Sequence, residues 1–361
     1  MAKLFILGAG GFGTALAVMS QANGHEVTMW SYREDEAAQL RTDRENRRLL
    51  PGVKIPEEIA IVTDFAALGE AELVLIAVPS SAVRSVSAQL HGRLALGAVV
   101  VCVSKGFEPE TLKRMDEVIA EELPENPCVI LSGPSHAEEV AKGIPTTVVA
   151  ACRDLDMAER VQMTLSGDTF RIYVTDDVIG AELGGALKNV IALAAGALDG
   201  LGLGDNTKAA LMTRGLTEIA RLGVACGART ETFGGLSGMG DLIVTCTSMH
   251  SRNRRCGILV GQGLSGAEAV KQVGMTVEGY TNTKNAYEMG RRLGVEMPIT
   301  NEVYKVLYEG KDLFCVNPAE NLSAFLEYGT GTVFFSATLL PIHYYKELLS
   351  VEEDDYAIYA E

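Results

Sequence analysis

The chain has 361 residues, of which 47% are hydrophobic and 22% are charged, and its formal net charge is −16. This length and composition are typical of a globular protein with two domains rather than one. The negative charge argues against nucleic acid as a partner and against binding to an anionic membrane surface, because both attract basic proteins. An anionic ligand would therefore need positive charge that is concentrated locally.

The cysteines and histidines give no sign of a metal site. The seven cysteines are scattered and form no C-x-x-C pair, and the five histidines show no metal-ligand spacing. The apolar run at residues 4–7 is too short for a signal peptide, and we expect no later stretch to be long and uncharged enough to cross a bilayer. These features predict a soluble, cytoplasmic protein with free thiols and no metal.

The first predicted element is a strand at residues 4–7, which leads into a glycine-rich turn and then a helix. The turn has the spacing G-x-G-x-x-G. In this motif Gly8 allows the tight turn, Gly10 lets a pyrophosphate approach the backbone, and Gly13 permits close packing of helix on strand. Because a second strand follows at residues 24–30, the motif predicts a dinucleotide-binding fold. The alternative is a glycine-rich turn that serves packing alone.

The end of the second strand bears on the choice of cofactor. NAD-selective sites usually place Asp or Glu there, to accept hydrogen bonds from the ribose hydroxyls. Here Ser31, Tyr32 and Arg33 follow the strand, and a serine and an arginine suit a 2′-phosphate. The sequence therefore predicts NADP in preference to NAD, while Glu34 and Asp35 follow closely enough to leave dual use open.

Strands and helices alternate through the rest of the first half. Further strands are predicted at residues 73–78, 98–103, 129–131, 146–150 and 170–174, with helices at 111–122 and 155–165 among the connections. This alternation predicts an α/β, Rossmann-type, doubly wound sheet. Ligands bind beyond the carboxyl ends of such strands, which places Lys105 within reach of a ligand. A surface-loop lysine is the alternative.

After Asp176 and Asp177 the β-rich pattern ends, and long segments rich in Ala, Gly and Leu follow. We expect an all-α C-terminal domain there. The chain then divides into a dinucleotide-binding domain, residues 1–177, and a helical substrate-binding and catalytic domain, residues 178–361, whose acidic end is predicted to be a frayed tail. On the helix predicted at 206–222, Arg214 and Glu218 are four residues apart and predict a surface pair.

Lys188 lies in the first helical segment of this second half. Its neighbours one turn away, Gly184, Gly185, Ile191 and Ala192, are small or apolar. Burial among them would lower the lysine pKa from about 10.4 toward values at which it exchanges protons near neutral pH. A lysine that covers apolar surface with its aliphatic stem is the alternative.

Two later segments add polar groups. A glycine-dense segment ends at Asp241, which either belongs to a site or caps a helix. The basic charge collects in the run Ser251, Arg252, Asn253, Arg254, Arg255. Arginine forks match phosphate oxygens, so this run predicts a phosphate clamp, with a solvated basic turn as the alternative. Together these features predict hydride transfer to the carbonyl of a small phosphorylated substrate, with a lysine protonating the alkoxide.

From Leu4 to about Lys311 the chain resembles the bacterial-type NAD(P)-dependent glycerol-3-phosphate dehydrogenases. The similar segments are residues 8–17, 132–135, 183–190, 240–242, 251–255 and 277–280. The resemblance implies interconversion of dihydroxyacetone phosphate and sn-glycerol 3-phosphate, a step toward phospholipids. It implies that Lys188 is the proton donor and acceptor. We expect Lys105 and Asp241 to join Lys188 in catalysis, and the protein to be a homodimer.

The resemblance also implies the ligand contacts. Substrate contacts would be Lys105, Gly133, Ser135, Lys188, Asp241, Ser251, Arg252 and Asn253. Cofactor contacts would be Gly11, Phe12, Tyr32, Lys105, Ala137, Arg252, Thr276 and Glu278. Gly8, Gly10 and Gly13 come from the glycine motif, and Arg33 from the charge argument alone.

The chain departs from this family at two places. Family members usually end soon after the segment that matches Lys311, whereas this chain continues through residues 313–361, as an extra helix for dimer contacts or as a tail. Tyr32 stands where the family often has a basic or polar residue. Two alternatives remain: a two-domain hydroxyacid or ketopantoate reductase, which needs no phosphate clamp, and a nucleotide-binding redox sensor without turnover.

Overall fold

A computed structural model describes residues 1–313, and the predicted acidic tail lies outside them. Within these residues eight strands form one sheet in the order β3-β2-β1-β4-β5-β6-β7-β8. The strands are β1 (Lys3–Leu7), β2 (Glu26–Trp30), β3 (Ala60–Val62), β4 (Leu73–Ile76), β5 (Val99–Cys102), β6 (Cys128–Ser132), β7 (Thr146–Ala151) and β8 (Phe170–Thr175). Strands β1 to β6 are parallel, β7 is antiparallel to β6, and β8 is parallel to β7. The Rossmann-type sheet is confirmed, and its last two strands make it mixed.

Helices connect the strands and form all of the chain from Val178 to Tyr308 apart from turns. In the first region they are α1 (Gly11–Ala22), α2 (Glu34–Asp43), α3 (Val83–Leu90), α4 (Met115–Glu122), α5 (Ala137–Val140) and α6 (Leu155–Leu165). In the second they are α7 (Val178–Gly200), α8 (Gly204–Ala225), α9 (Thr230–Phe233), α10 (Asp241–Thr247), α11 (Arg252–Gly261), α12 (Gly266–Val273), α13 (Glu278–Leu293) and α14 (Pro298–Tyr308). The mostly helical character of the second region is confirmed.

The sheet is covered on both faces, because side chains alternate across each strand and helices pack on either side. In β1, Leu4 and Ile6 join the core that contains residues of α1 and α6. Phe5 and Leu7 join the core on the opposite face, with residues of α3 and α4. Continuous apolar runs in the sequence are therefore buried parallel strands, as expected.

Helix α7 forms the centre of the helical region. The Asp177 carboxylate caps its first turn by accepting a hydrogen bond from the Gly180 N–H at 3.0 Å. Contrary to the sequence-based expectation, this helix has the length and hydropathy of a membrane span. Nearly all of its residues are buried inside the protein, however, in the core shared with α8, α10, α11 and α13.

Helices α7 and α11 cross with their backbones in close contact. A Cβ atom added at Gly196 would lie 2.0 Å from the Arg254 carbonyl oxygen, and one at Gly257 would lie 1.9 Å from the Leu193 carbonyl oxygen. Two glycines thus allow an approach that alanine would block. This crossing holds the beginning of α11 beside the middle of α7.

Two local predictions were wrong. The helix predicted from residue 111 begins at Met115, because Leu112 adopts a left-handed backbone conformation with φ 62°. Glu218 forms no surface pair with Arg214. Its carboxylate is 2% exposed and accepts hydrogen bonds from the backbone N–H groups of Ile299 and Thr300, at 2.8 and 2.9 Å. The first turn of a helix has free N–H groups, and helical spacing alone cannot reveal a partner so distant in sequence.

Candidate functional site

A cleft of about 1000 Å³ lies at the carboxyl ends of the parallel strands, between the sheet and the helices of the second region. Ligands of open α/β sheets bind at this edge. Six lysines and arginines line the cleft against three glutamates, although the chain as a whole has a net charge of −16. The cleft therefore has the concentration of positive charge that an anionic ligand requires.

Most of the predicted site residues line this cleft. They are Gly8, Gly10, Gly11, Phe12, Tyr32, Lys105, Ser135, Ala137, Lys188, Ser251, Arg252, Asn253, Thr276 and Glu278. Four do not line it: Gly13, Arg33, Gly133 and Asp241. Gly13 follows Phe12, the Gly133 carbonyl oxygen accepts hydrogen bonds from Lys105 and Ser135, and Asp241 pairs with Lys105 and Lys188, whereas the Arg33 side chain contacts no lining residue by a hydrogen bond or ion pair within residues 1–313.

The glycine motif forms one end of the cleft. Gly8 has φ +115°, and a Cβ atom there would lie 2.7 Å from the Ala77 carbonyl oxygen. A Cβ atom at Gly13 would lie 1.9 Å from the Gly8 carbonyl oxygen, whereas one at Gly10 would have no atom within 4 Å. Gly10 precedes α1 without a side-chain cap, so the first N–H groups of the helix remain available to an anion. This end fits the pyrophosphate of a dinucleotide.

At the end of β2 the structure does not bring Arg33 to the cleft. The guanidinium of Arg33 forms an ion pair with the carboxylate of Asp35, and both side chains are exposed. Tyr32 does line the cleft, with its ring edge-on to Trp30 at a centroid distance of 6.1 Å. The geometry therefore gives no support to Arg33 as a cofactor contact, because its charge is engaged by Asp35.

Two residues that the sequence analysis did not single out, Glu36 and Arg48, lie in the cleft at this end. The Glu36 carboxylate accepts a hydrogen bond from the buried Ser31 hydroxyl at 2.8 Å. Its other oxygen is 3.6 Å from the Arg48 guanidinium. Glu36 lies on α2 and Arg48 in the segment after it, so only the fold brings them to the strand end.

Three predicted residues from distant parts of the chain meet in a single cluster. The Lys188 ammonium on α7 is 2.5 Å from one Asp241 carboxylate oxygen, and the Lys105 ammonium, after β5, is 2.7 Å from the other. Asp241 is 1% exposed and is the first residue of α10. The residue that caps α10 is Gly240, and the Asp241 carboxylate pairs with the two lysines instead of capping the helix.

The cluster changes the proton affinity of its members. Burial lowers the pKa of Lys188 to about 8; the Lys105 charge acts in the same direction and the Asp241 carboxylate opposes it. Burial acts to raise the pKa of Asp241, but the charges of Lys105 and Lys188 outweigh it and lower that pKa. Asp241 thus stays ionised, and Lys188 can exchange a proton near neutral pH.

Thr245 is a further member that the sequence analysis missed. Its hydroxyl accepts a hydrogen bond from Lys188 Nζ at 2.6 Å and donates one to the Asp241 carbonyl oxygen at 2.6 Å. An ammonium group has three donors, so one remains after Asp241 and Thr245 are satisfied. The sequence feature that could have indicated Thr245 is its four-residue spacing from Asp241, which places both residues on one helix face.

The predicted phosphate clamp divides into two faces of α11. Arg252 and Arg255 line the cleft, and within residues 1–313 the Arg252 guanidinium has no hydrogen-bond or ion-pair partner. Arg255 contacts only the Met275 sulfur, at 3.9 Å. Arg254 instead donates to the Asp199 carboxylate at 2.7 Å. Unpaired guanidinium groups on a cleft wall are suited to binding an anion.

Polar residues around the clamp tie the helices together. Asn253 donates to the Asn189 side-chain oxygen and accepts from the Gly279 N–H, each at 2.8 Å, so it links α11 to α7 and α13. Ser251 caps α11 by accepting from the Arg254 N–H at 3.2 Å. The remaining N–H of Asn253 and the hydroxyl hydrogen of Ser251 are left for a ligand.

The opposite wall is built from the N-terminal region together with the start of α13. The Gly133 carbonyl oxygen accepts from Lys105 Nζ at 2.8 Å and from the Ser135 hydroxyl at 3.0 Å. Glu278, at the start of α13, accepts from the Ser80 hydroxyl at 2.8 Å, and burial raises its pKa.

Within the described residues no group of three or more His, Cys, Asp or Glu side chains is arranged to hold a metal ion.

Comparisons with known proteins agree with this geometry. The model of the NAD-dependent glycerol-3-phosphate dehydrogenase N-terminus matches residues 3–158, and that of the C-terminus matches residues 177–316. The glycerol-3-phosphate dehydrogenase [NAD(P)+] of Moorella thermoacetica is 55% identical over 310 residues, which cover 86% of this chain and 92% of that protein. That of Clostridium perfringens strain SM101 is 51% identical over 311 residues, 86% of this chain and 94% of the relative.

A solved structure gives the same result. The crystal structure of glycerol-3-phosphate dehydrogenase from Coxiella burnetii superposes with a TM-score of 0.83 at 38% sequence identity, and the match covers 90% of this chain and 99% of that one. The two family models together cover strands β1 to β7, all residues that line the cleft, and the helices from α7 to α14. The chain therefore belongs to the NAD-dependent glycerol-3-phosphate dehydrogenase family.

Proposed function

We propose that the protein reduces dihydroxyacetone phosphate to sn-glycerol 3-phosphate with NAD(P)H and catalyses the reverse reaction. The observation that carries the proposal is the cluster of Lys188, Asp241 and Lys105. It lies between a dinucleotide-type glycine turn and two arginines, Arg252 and Arg255, that pair with no carboxylate within residues 1–313. The names of the relatives, glycerol-3-phosphate dehydrogenase [NAD(P)+], support the same reaction.

The chain supplies the proton and the cofactor supplies the hydride. As an ammonium, Lys188 donates a proton to the alkoxide oxygen that forms when the ketone is reduced, and in the reverse direction its amine takes the proton from the hydroxyl. One carboxylate oxygen of Asp241 holds the Lys188 ammonium in place, and the other oxygen holds the Lys105 ammonium. The second positive charge, on Lys105, stabilises the developing negative oxygen.

The phosphate of the substrate binds at the start of α11. Arg252 and Arg255 provide guanidinium groups there that have no carboxylate partner in the described part of the chain, and Ser251 and Asn253 provide neutral donors. The uncapped beginning of α1 holds the cofactor pyrophosphate. Gly133 and Ser135 as substrate contacts, and Phe12, Tyr32, Ala137, Thr276 and Glu278 as cofactor contacts, remain proposals on the family resemblance.

Further parts of the proposal concern the whole protein. Residues 1–177 form the dinucleotide-binding domain, and the substrate-binding domain begins at residue 178. The preferred cofactor is NADPH, since an arginine, Arg48, lies in the cleft near the end of β2. The enzyme acts in the cytoplasm as a homodimer and feeds glycerophospholipid synthesis; these last three statements rest on the resemblance to the family.

The test is oxidation of NADPH or NADH in the presence of dihydroxyacetone phosphate. We expect Lys188→Ala to lower kcat by about 10²- to 10⁴-fold, the usual contribution of a general acid. Lys271→Ala is the matched control, because Lys271 also lines the cleft but is exposed and lies outside the cluster. Unchanged turnover in Lys188→Ala would refute the proton-donor assignment.

Two other results would favour the alternatives. Faster turnover of 2-oxo acids without a phosphate would indicate a hydroxyacid or ketopantoate reductase, which does not need the clamp. Cofactor binding without turnover of any carbonyl substrate would indicate a sensor. Arg252→Ala tests the hydroxyacid or ketopantoate alternative. Arg252 is exposed in the cleft, and loss of its charge-assisted contact to the phosphate should weaken binding of dihydroxyacetone phosphate by about 1.5–3 kcal/mol.

A further inference from the structure

We infer that Glu36 and Arg48 form the element that decides between NADH and NADPH. In this assignment the Glu36 carboxylate accepts hydrogen bonds from the ribose hydroxyls of NADH, and the Arg48 guanidinium binds the 2′-phosphate of NADPH. The inference rests on the proposed function, because it assigns the two residues to the cofactor of that reaction.

The first argument is the position of the two side chains. Both line the cleft at the end of β2, together with Tyr32 and Trp30. In dinucleotide-binding sheets, the ribose next to the adenine lies at this strand end. Acidic and basic side chains at this place have opposite preferences, because a carboxylate accepts from hydroxyl groups and repels a phosphate dianion.

The second argument is how firmly each residue is held. The buried Ser31 hydroxyl donates to Glu36 at 2.8 Å and fixes the carboxylate at the cleft wall. Arg48 is 3.6 Å from Glu36, longer than a hydrogen bond, and its side chain is 72% exposed. Such an exposed ion pair contributes little stability. Arg48 can therefore exchange Glu36 for a phosphate at low cost, and the site can accept both cofactors.

The third argument is that the other charged residues near this strand end are engaged elsewhere. Arg33 pairs with Asp35, and Glu34 pairs with Arg41 and accepts from the Thr63 hydroxyl at 2.8 Å. None of these four charged residues lines the cleft. Glu36 and Arg48 are thus the charged side chains that face a ligand at this end.

Direct binding provides the test. Trp30 is the single tryptophan of the chain and lines the cleft at this position, so its fluorescence reports cofactor binding without turnover. Dissociation constants for NADPH and NADH are measured for wild type, Glu36→Gln, Arg48→Gln and the double variant. The kcat/KM values for both cofactors with dihydroxyacetone phosphate are measured in parallel. Arg33→Gln is the matched control, a nearby arginine that does not line the cleft.

We expect the Arg48 and Glu36 variants to change the ratio of the NADPH and NADH dissociation constants in opposite directions. Arg48→Gln weakens NADPH binding by about tenfold or more, the effect of losing a hydrogen bond to a charged group, and changes NADH binding by less than about twofold. Glu36→Gln weakens NADH binding and leaves or improves NADPH binding. Arg33→Gln leaves the ratio of the two dissociation constants unchanged.

Other outcomes overturn the inference. An NADPH-to-NADH ratio that stays constant in the Glu36 and Arg48 variants would show that these side chains do not contact the ribose. A ratio that changes in Arg33→Gln instead would show that Arg33, after the end of β2, selects the cofactor. Failure of the proposed function would look different: the wild type would bind both cofactors and reduce no dihydroxyacetone phosphate.

Discussion

At the scale of single residues, the proposed chemistry depends on one buried carboxylate shared by two lysines. Asp241 contacts Lys188 and Lys105 with separate oxygens, at 2.5 and 2.7 Å, so the three groups carry a net positive charge. Burial disfavours that charge and brings the pKa of Lys188 to about 8. The pKa of the adjacent His136 is lowered by burial and by the charge of Lys188, which makes it a poor competitor as proton donor at neutral pH.

The first prediction concerns pH. Reduction needs the Lys188 ammonium, so kcat/KM for dihydroxyacetone phosphate should be constant below pH 8 and fall as pH rises through about 8. Oxidation of sn-glycerol 3-phosphate needs the amine and should rise over the same interval. Initial rates in both directions across this range provide the measurement. If the rates of reduction and oxidation changed in the same direction with pH, the assignment of Lys188 as proton donor and acceptor would be contradicted.

The second prediction concerns Asp241. Its charge raises the pKa of Lys188, against burial and the charge of Lys105, so Asp241→Asn should shift the alkaline limb of the reduction to lower pH. Removing an opposite charge at this distance changes a pKa by about one to three units. The pH profile of the residual activity measures the shift. A limb that stays in place would show that Asp241 positions the lysine without setting its proton affinity.

At the scale of elements, the site depends on how closely α7 and α11 approach each other. Helix α7 carries Lys188, and α11 carries the arginines of the clamp. Gly196 and Gly257 permit contact between the two backbones. Arg254 strengthens the junction by pairing with Asp199 near the end of α7. The distance between the proposed proton donor and the proposed phosphate site therefore depends on packing away from the cleft.

The third prediction tests this crossing. A methyl group at Gly257 would lie 1.9 Å from the Leu193 carbonyl oxygen, so Gly257→Ala must displace one backbone. We expect a loss of about 1–3 kcal/mol in the free energy of unfolding and a higher KM for dihydroxyacetone phosphate. Gly69→Ala is the control, because its methyl group would lie 3.7 Å from the nearest atom, the Arg93 carbonyl oxygen. Equal unfolding midpoints for both variants would contradict the role of the crossing.

At the scale of the whole molecule, charge is separated between surface and cleft. The chain has a net charge of −16, while the cleft has six lysines and arginines against three glutamates. The acidic surface disfavours nonspecific binding of anions, and the basic cleft attracts the phosphate of the substrate. Screening by salt weakens this attraction, because the Debye length falls from about 30 Å at 0.01 M to about 3 Å at 1 M.

The fourth prediction follows from this charge separation. At saturating NADPH, kcat/KM for dihydroxyacetone phosphate should fall by about three- to tenfold between low and high NaCl concentration, as electrostatic attraction is screened. The uncharged analogue dihydroxyacetone provides the control, since it has no phosphate to attract. The same salt dependence for both substrates would refute the electrostatic origin of the effect.

The sequence by itself determined the sheet, the glycine turn and the candidate lysines, because these depend on local patterns. Apolar runs predicted the buried strands, and the spacing of Gly8, Gly10 and Gly13 predicted the turn before α1. The small apolar neighbours of Lys188 predicted its burial. Proton affinity follows from that burial, so even the direction of its pKa shift could be inferred.

Only the tertiary structure decided which charges face the cleft and which pair elsewhere. Arg33 and Arg254 have the residue type that the chemistry needs, but they pair with Asp35 and Asp199. Glu218 is buried beneath α14. A charged side chain takes its partner from whatever the fold places within a few ångströms, and for Arg254 and Glu218 that partner is more than 50 residues away. Helical spacing and composition contain no information on such distances, so the pairing becomes visible only once the chain is folded.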